Sequence, residues 1–126
     1  MIDYREFDNV KQNYEIWKDV DGTIYTVNLP TERELIKVGK IQFMTQELQK
    51  QYDKLIKQKE SAELYDKIDE LYNKLMKTVQ EAFLLVLNLN TQGKVFTYED
   101  IEKVPFKAIN AEFNNYIEFI NSQLKN

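Results

Sequence analysis

The sequence contains no cysteine and no histidine, and these two absences exclude several kinds of functional site. A chain without cysteine cannot form a disulfide, a thiolate nucleophile or a cysteine zinc site. A chain without histidine lacks the commonest general base of enzymes. The two serines, Ser61 and Ser122, fall at a predicted helix boundary and in a polar terminal turn, and neither position resembles a nucleophile elbow. We therefore expect a protein that is not an enzyme and that holds no cofactor or metal.

Excess positive charge and long apolar runs are also missing. The net charge is −4, whereas the phosphates of nucleic acid require a concentrated basic surface. No run approaches the roughly 18 consecutive apolar residues of a membrane span. The first six residues, MIDYRE, have neither the basic start nor the apolar stretch of a secretory signal. We expect no nucleic-acid partner, no membrane insertion and a location in the cytoplasm.

Glycine and proline are scarce, with three and two residues in a chain of 126. Such a chain is long enough for one compact domain and too short for two comfortable ones. We predict a single domain over residues 1–126 of mainly α class. In it, an N-terminal β-hairpin packs on a bundle of three long helices plus one short helix.

Residues 61–90 form the predicted central helix, because apolar residues recur there at the spacing of one helical face. That stripe comprises Leu64, Ile68, Leu71, Leu75, Val79, Ala82, Val86 and Leu89, and it is widened on one flank by Tyr65, Tyr72, Met76 and Phe83. Ser61 is an N-cap or a short break before this helix. A continuous helix through residues 59–61 is the alternative, but an antiparallel pair of helices buries more apolar surface. Gly93 can supply a left-handed residue after the helix ends.

Residues 1–30 are predicted to hold an arm and a β-hairpin. Residues 14–20 and 23–29 alternate in strand fashion, and Asp21-Gly22 between them favours a two-residue turn with positive φ at both residues. The same stretch resembles the middle of a calcium-binding EF-hand. That interpretation fails because Trp17 and Asn28 occupy the first and twelfth ligand positions.

A further long helix is predicted over residues 31–59. Thr31 is its expected N-cap, and Glu34, three residues later, completes a capping box. Its main apolar face comprises Val38, Ile41, Leu48, Tyr52, Leu55 and Ile56. Ile36 and Phe43 lie roughly opposite that face, one heptad apart.

Residues 97–125 are predicted to hold the short helix and the C-terminal helix. Thr97 caps the short helix with Asp100 at its third position, and Pro105 opens the last helix. The core stripe of that helix comprises Phe106, Ile109, Phe113, Tyr116, Ile117, Ile120 and Leu124. Phe119 lies about 120° away from the stripe.

Three residues that lie off the main stripes, Ile36, Phe43 and Phe119, are the candidate protein-binding residues. Off-stripe apolar residues on helices can form a patch for a partner helix or for a second copy of the chain. The alternative for Phe43 is that the hairpin covers it. The sequence leaves this choice open.

Two stretches resemble a known family. VDGTIYTVNLPTERE at residues 20–34 is similar to the start of small tail assembly chaperones of long-tailed (siphovirus-type) phages and prophages of Gram-positive bacteria. In that family an Asp-Gly hairpin with a tyrosine and alternating apolar residues runs through Pro-Thr into a helix. FTYEDIEKV at residues 96–104 and the amphipathic helix after it also look like the C-terminal part of the family.

The resemblance implies a non-enzymatic role in the cytoplasm of the host cell. Such chaperones bind the tape measure protein or other tail proteins during tail morphogenesis, and they commonly form homo-oligomers. Two further hypotheses come from other classes of protein. One is a structural subunit or adaptor of a phage or mobile-element assembly, and the other is a regulatory module that blocks a host enzyme.

Overall fold

A computed structural model describes residue 1 and residues 13–124. Its elements are β1 (Asn13–Lys18), β2 (Ile24–Asn28), α1 (Glu32–Leu55), α2 (Ala62–Leu87), α3 (Tyr98–Ile101) and α4 (Phe106–Leu124). This mainly helical architecture, with an N-terminal hairpin, three long helices and one short one, confirms the predicted fold class. The arm predicted before residue 13 lies almost entirely outside the described residues.

Contacts group the chain into two compact units. The terminal unit consists of Met1–Pro30 and Leu84–Asn126, and the middle unit consists of Thr31–Phe83. The buried apolar residues of the terminal unit are Ile16, Val27, Val86, Leu87, Phe96, Ile101, Ile109, Phe113, Tyr116 and Ile120. Those of the middle unit are Val38, Leu64, Leu71, Leu75, Val79, Ala82 and Phe83. Most of these residues belong to the helical stripes predicted from the sequence.

The hairpin of the terminal unit forms where it was predicted, but its turn differs from the predicted one. Gly22 has a φ of +87°, whereas Asp21 stays outside the left-handed region, so the predicted two-residue turn is wrong. The backbone N–H of Gly22 donates to the Asp19 carbonyl at 2.9 Å, and the Asp21 carboxylate accepts the Thr23 N–H at 2.9 Å. A hydrogen bond from the backbone to the aspartate side chain favours aspartate in a turn, and it does not require positive φ.

Side-chain amides shape the loop after α2. The Asn90 amide donates to the carbonyls of Leu87 and Lys94, each at 2.7 Å, and its oxygen accepts the Lys94 N–H at 3.0 Å. Asn88 pairs in the same two-way manner with the backbone of Phe96. The helix predicted to reach residue 90 ends at Leu87 because these bonds replace further helical turns.

Lys94 connects this loop to the hairpin. Its Nζ lies 2.9 Å from Asp19 Oδ2, 5.2 Å from the centre of the Tyr25 ring and 4.8 Å from that of Phe96. The hydrogen bond from Lys94, followed by the backbone N–H of Val20, lowers the pKa of Asp19 below its usual value. The hydrogen bond to Asp19 raises the pKa of Lys94. A carboxylate that the EF-hand interpretation would give to calcium therefore serves an internal ion pair.

The middle unit is a pair of helices. The first, α1, ends at Leu55 rather than at residue 59, and the backbone N–H of Ile56 donates to the Tyr52 carbonyl at 3.1 Å. Residues 57–60 are all polar, so a longer helix would have gained no packing. Ser61 is the N-cap of α2, since its hydroxyl accepts the Leu64 N–H at 3.0 Å. Ile56, predicted to lie in the main apolar face, instead follows the end of α1 and is exposed.

The start of α1 confirms Thr31 as its N-cap. The Thr31 hydroxyl accepts the Glu34 N–H at 3.3 Å and donates to the Glu34 carboxylate at 3.1 Å. The Glu34 carboxylate thus accepts from the Thr31 hydroxyl. In a full capping box it would accept from the backbone N–H of Thr31 instead. Glu34 and Glu32 also place negative charge at the positive end of the helix.

Replacing Thr31 with alanine is expected to lower the free energy of unfolding by about 1 kcal/mol, because one N-terminal N–H of α1 loses its acceptor. A thermal melt followed by circular dichroism measures this loss. Thr31→Ser keeps the hydroxyl and serves as the control. Equal stability of the alanine and wild-type proteins would contradict the cap.

Candidate partner-binding surface

The exposed apolar residues of α1 form the first part of the surface. Ile36 and Phe43 are 73% and 62% exposed, and they lie two turns apart, about 10.5 Å along the helix axis. Gly39 lies between them on the same face, and we call these three residues the α1 row. Val38 is the one buried residue of this 24-residue helix. The exposure of Phe43 favours a partner surface over a core position.

Gly39 gives the α1 row a gap at its centre. A Cβ built on Gly39 would meet no atom within 4 Å, so nothing in the fold requires glycine there. Glycine inside a helix costs about 1 kcal/mol relative to alanine. Between Ile36 and Phe43 the helix therefore presents bare backbone to solvent.

Basic side chains lie beside the α1 row. Arg33, Lys37 and Lys40 are exposed along the same part of α1, with Lys40 one turn from both Ile36 and Phe43. Long basic side chains can cover apolar surface with their methylene stems while their charges stay in water. A glutamate lies one turn beyond each end of the row, at positions 32 and 47, so the row is apolar at its centre and carries charges of both signs at its margin.

Phe119, the third predicted binding residue, lies in the terminal unit. Its side chain is half-buried, and its ring centre lies 5.2 Å from that of Tyr14 in β1. The Tyr14 hydroxyl donates to Glu112 at 2.5 Å, and burial together with this carboxylate raises the pKa of Tyr14. Phe119 thus takes part in an internal aromatic cluster and presents less free surface than Ile36 or Phe43.

A second apolar surface was missed by the sequence interpretation. Ile56, Tyr65 and Tyr72 are 51%, 56% and 39% exposed, and we call them the tip patch. Tyr72 packs against Tyr52 of α1 with ring centres 6.4 Å apart. An adjacent pocket of about 250 Å³ is lined by Tyr52, Ile56, Gln58, Glu60, Leu64, Tyr65 and Ile68. The tip patch therefore borders a concave surface.

One sequence signal could have identified the tip patch. Tyr65 and Tyr72 lie roughly 60–80° from the centre of the apolar stripe of α2, in a part of the helix where most other off-stripe residues are charged or amides. Tyrosine is well suited to such partly exposed positions because its hydroxyl can remain in water. The choice of tyrosine there, rather than leucine or phenylalanine, is typical of a surface residue.

The two apolar surfaces are the structural features from which a function can be proposed. No family model, characterised protein or solved structure matches this chain. Within residues 13–124, no helix combines the length and apolar character needed to cross a membrane. The α1 row and the tip patch both belong to the middle unit, and they are the best-developed candidates for binding a protein.

Proposed function

We propose that this chain is a non-enzymatic tail assembly chaperone that binds the tape measure protein during phage tail morphogenesis. The resemblance of residues 20–34 and 96–104 to that family suggests the class. The single observation that carries the proposal is the exposure of the α1 row. A helix that leaves Ile36 and Phe43 in water has apolar surface available for the apolar face of another helix.

The proposed activity requires a partner helix to pack its apolar face against the α1 row. A partner helix loses exposed apolar area when it covers Ile36 and Phe43, and each square ångström contributes roughly 25 cal/mol. Gly39 has no side chain, so a side chain of the partner can approach the helix backbone between them. While bound, those apolar residues of the partner are unavailable for aggregation, which is the work of a chaperone.

Co-expression with a phage tape measure protein tests the proposal. The expected result is a larger soluble fraction of the partner and its recovery with the tagged chain. Finished tails should lack the chain, whereas a structural subunit or adaptor would be present in them at fixed stoichiometry. A partner that stays insoluble and does not co-purify would refute the chaperone function.

Phe43→Glu should weaken partner binding by at least about tenfold, since exposed aromatic anchors dominate such interfaces. The melting temperature should change little, because surface substitutions usually alter stability by about 0.5 kcal/mol or less. Pull-down yield and a circular dichroism melt measure the two effects.

Asn114→Glu is the matched control, because it adds the same charge at an exposed position of α4. It should leave both binding and melting unchanged. A large fall in melting temperature for Phe43→Glu alone would place Phe43 in a core and remove it from the surface.

A further inference from the structure

A groove runs between the two helices of the middle unit, separate from the α1 row. It has a volume of about 400 Å³ and is lined by Gln51, Lys54, Leu55 and Gln58 on one side and by Lys67, Glu70, Leu71 and Lys74 on the other. We call it the lysine groove. Each side contributes residues at sequence positions i, i+3, i+4 and i+7. Those of α2 form one helical face over two turns, whereas Gln58 lies beyond the end of α1.

The floor of the groove is apolar. Leu55 is half-buried and Leu71 is buried, and each occupies the i+4 position of its own side. On one side the lining runs along α1 from Gln51 to the helix end at Leu55, with Gln58 in the turn that follows. Along α2 it extends about 10.5 Å. Two turns of a third helix, with apolar residues at i, i+3 or i+4, and i+7, match that length. Such a helix laid along the pair would complete a three-helix arrangement.

The charge of the groove is opposite to that of the whole chain. Lys54, Lys67 and Lys74 outnumber Glu70, although the chain carries a net charge of −4. Lys74 Nζ lies 3.5 Å from Glu70 Oε1, but both side chains are well exposed. Exposed pairs of this kind contribute little, so Lys74 can turn to another carboxylate.

From this geometry we infer that the lysine groove binds a helical segment of the partner that carries apolar residues along one face and carboxylates on both flanks of that face. The inference rests on the proposed function only for the identity of the partner. An apolar floor between lysines suits such a helix better than a nucleic acid, whose phosphates require a denser basic surface. Opposite charges would fix the position of the helix and speed its association.

A synthetic peptide provides the first test. The probe is a fluorescein-labelled, 15-residue helical peptide with three leucines on one face and glutamates beside them, and its binding is followed by fluorescence anisotropy. The expected result is saturable binding that weakens as salt is raised. The same peptide with lysine in place of glutamate should bind at least about tenfold more weakly.

Charge reversal in the groove provides the second test. The double variant Lys67→Glu with Lys74→Glu should weaken binding of the acidic peptide at least about tenfold. Lys103→Glu with Lys107→Glu makes the same change in net charge at exposed positions outside the groove, and it should change affinity less than about twofold. Equal losses in both double variants would overturn the inference, because net charge alone would then explain binding.

A site-specific label locates the peptide. The chain has no cysteine, so Gln51→Cys and Lys103→Cys each give one labelling position. An environment-sensitive dye should respond to the acidic peptide at position 51 and not at position 103. A response at position 103 alone would overturn the inference.

Other occupants give different results in the same assays. Preference for a double-stranded DNA oligonucleotide over the acidic peptide would assign the groove to a polyanion and overturn the inference. A sedimentation velocity experiment in which the chain self-associates and the groove variant does not would assign the groove to a second copy instead. Failure of the peptide alongside successful co-expression would overturn this inference and leave the proposed chaperone function intact.

Discussion

Replacing Asn90 with alanine is expected to lower the free energy of unfolding by about 2–4 kcal/mol. The substitution removes three hydrogen bonds to the backbone of Leu87 and Lys94. Each buried backbone group left without a partner costs about 1–3 kcal/mol. The total stays below the sum because the Leu87 carbonyl also accepts the Asn90 N–H and because the Lys94 groups are only partly buried. The position of Lys94 against Tyr25 and Phe96 should loosen as well.

Urea denaturation followed by fluorescence measures this loss, since the single tryptophan, Trp17, lies in the terminal unit with its ring centre 5.7 Å from that of Phe96. Asn115→Ala removes the same amide at an exposed position of α4 and should change stability by about 0.5 kcal/mol or less. Equal stability of the Asn90 and Asn115 variants would show that the amide network does not hold the loop.

Tyr116→Ala should have the largest effect, a loss of about 3–5 kcal/mol, because it empties the space of a large side chain in the core. Tyr116 is fully buried in α4, and its ring centre lies 5.9 Å from that of Tyr14 in β1. The cavity would therefore separate the last helix from the hairpin. At this chain length 1 kcal/mol corresponds to a melting-temperature shift of roughly 3–6 °C, so the change is easily measured.

Tyr116→Phe is the matched control, because it keeps the ring and removes only the hydroxyl. Its loss should be far smaller, on the order of 1 kcal/mol. If the alanine and phenylalanine variants unfold at the same urea concentration, packing of the Tyr116 ring does not hold α4 against the hairpin. Tyr116 would then not be a core residue of the terminal unit.

Local chemistry explains why much of the fold could be predicted from the sequence. The caps at Thr31 and Ser61 and the left-handed glycine at Gly93 depend on neighbouring residues alone, and each occurs at its predicted place. Helical stripes are equally local, because a 3.6-residue period selects the buried face. The hairpin position followed from alternation on both sides of Asp21-Gly22.

Features that depend on tertiary surroundings were not predictable in the same way. Tyr72 and Phe83 have nearly the same angular position on α2, yet Tyr72 is 39% exposed and Phe83 only 2%. The helical period cannot distinguish them, because the surrounding elements decide which is covered. The ion pair of Lys94 with Asp19 joins residues 75 positions apart, and no local sequence pattern predicts it.

Parts of the candidate surface could be predicted from the sequence, and other parts depend on tertiary surroundings. The position of Ile36 and Phe43 opposite the main stripe of α1 could be predicted from the sequence. Whether Phe43 is exposed or covered could not, and only the structure shows it exposed. Phe119 also lies off its stripe, but Tyr14 from the distant hairpin lies against it. The lysine groove escaped notice because its two sides, residues 51–58 and 67–74, look like ordinary solvated helix faces when each is taken alone.

The outer edge of β2 bears on how this protein can associate. The Thr26 carbonyl accepts the Thr91 N–H at 2.8 Å, and the Thr26 N–H donates to the side-chain oxygen of Gln92 at 3.0 Å. At this point the loop after α2 takes the place of a neighbouring strand, with a glutamine side chain standing in for a backbone carbonyl. Unpaired strand edges are templates for intermolecular β-sheet growth, and here the loop occupies that template. Apart from Ile56, the described apolar surface of the middle unit lies on helices, which satisfy their backbone groups internally. The proposed binding of an aggregation-prone partner would therefore use side chains, and this strand edge would not act as a seed for fibres.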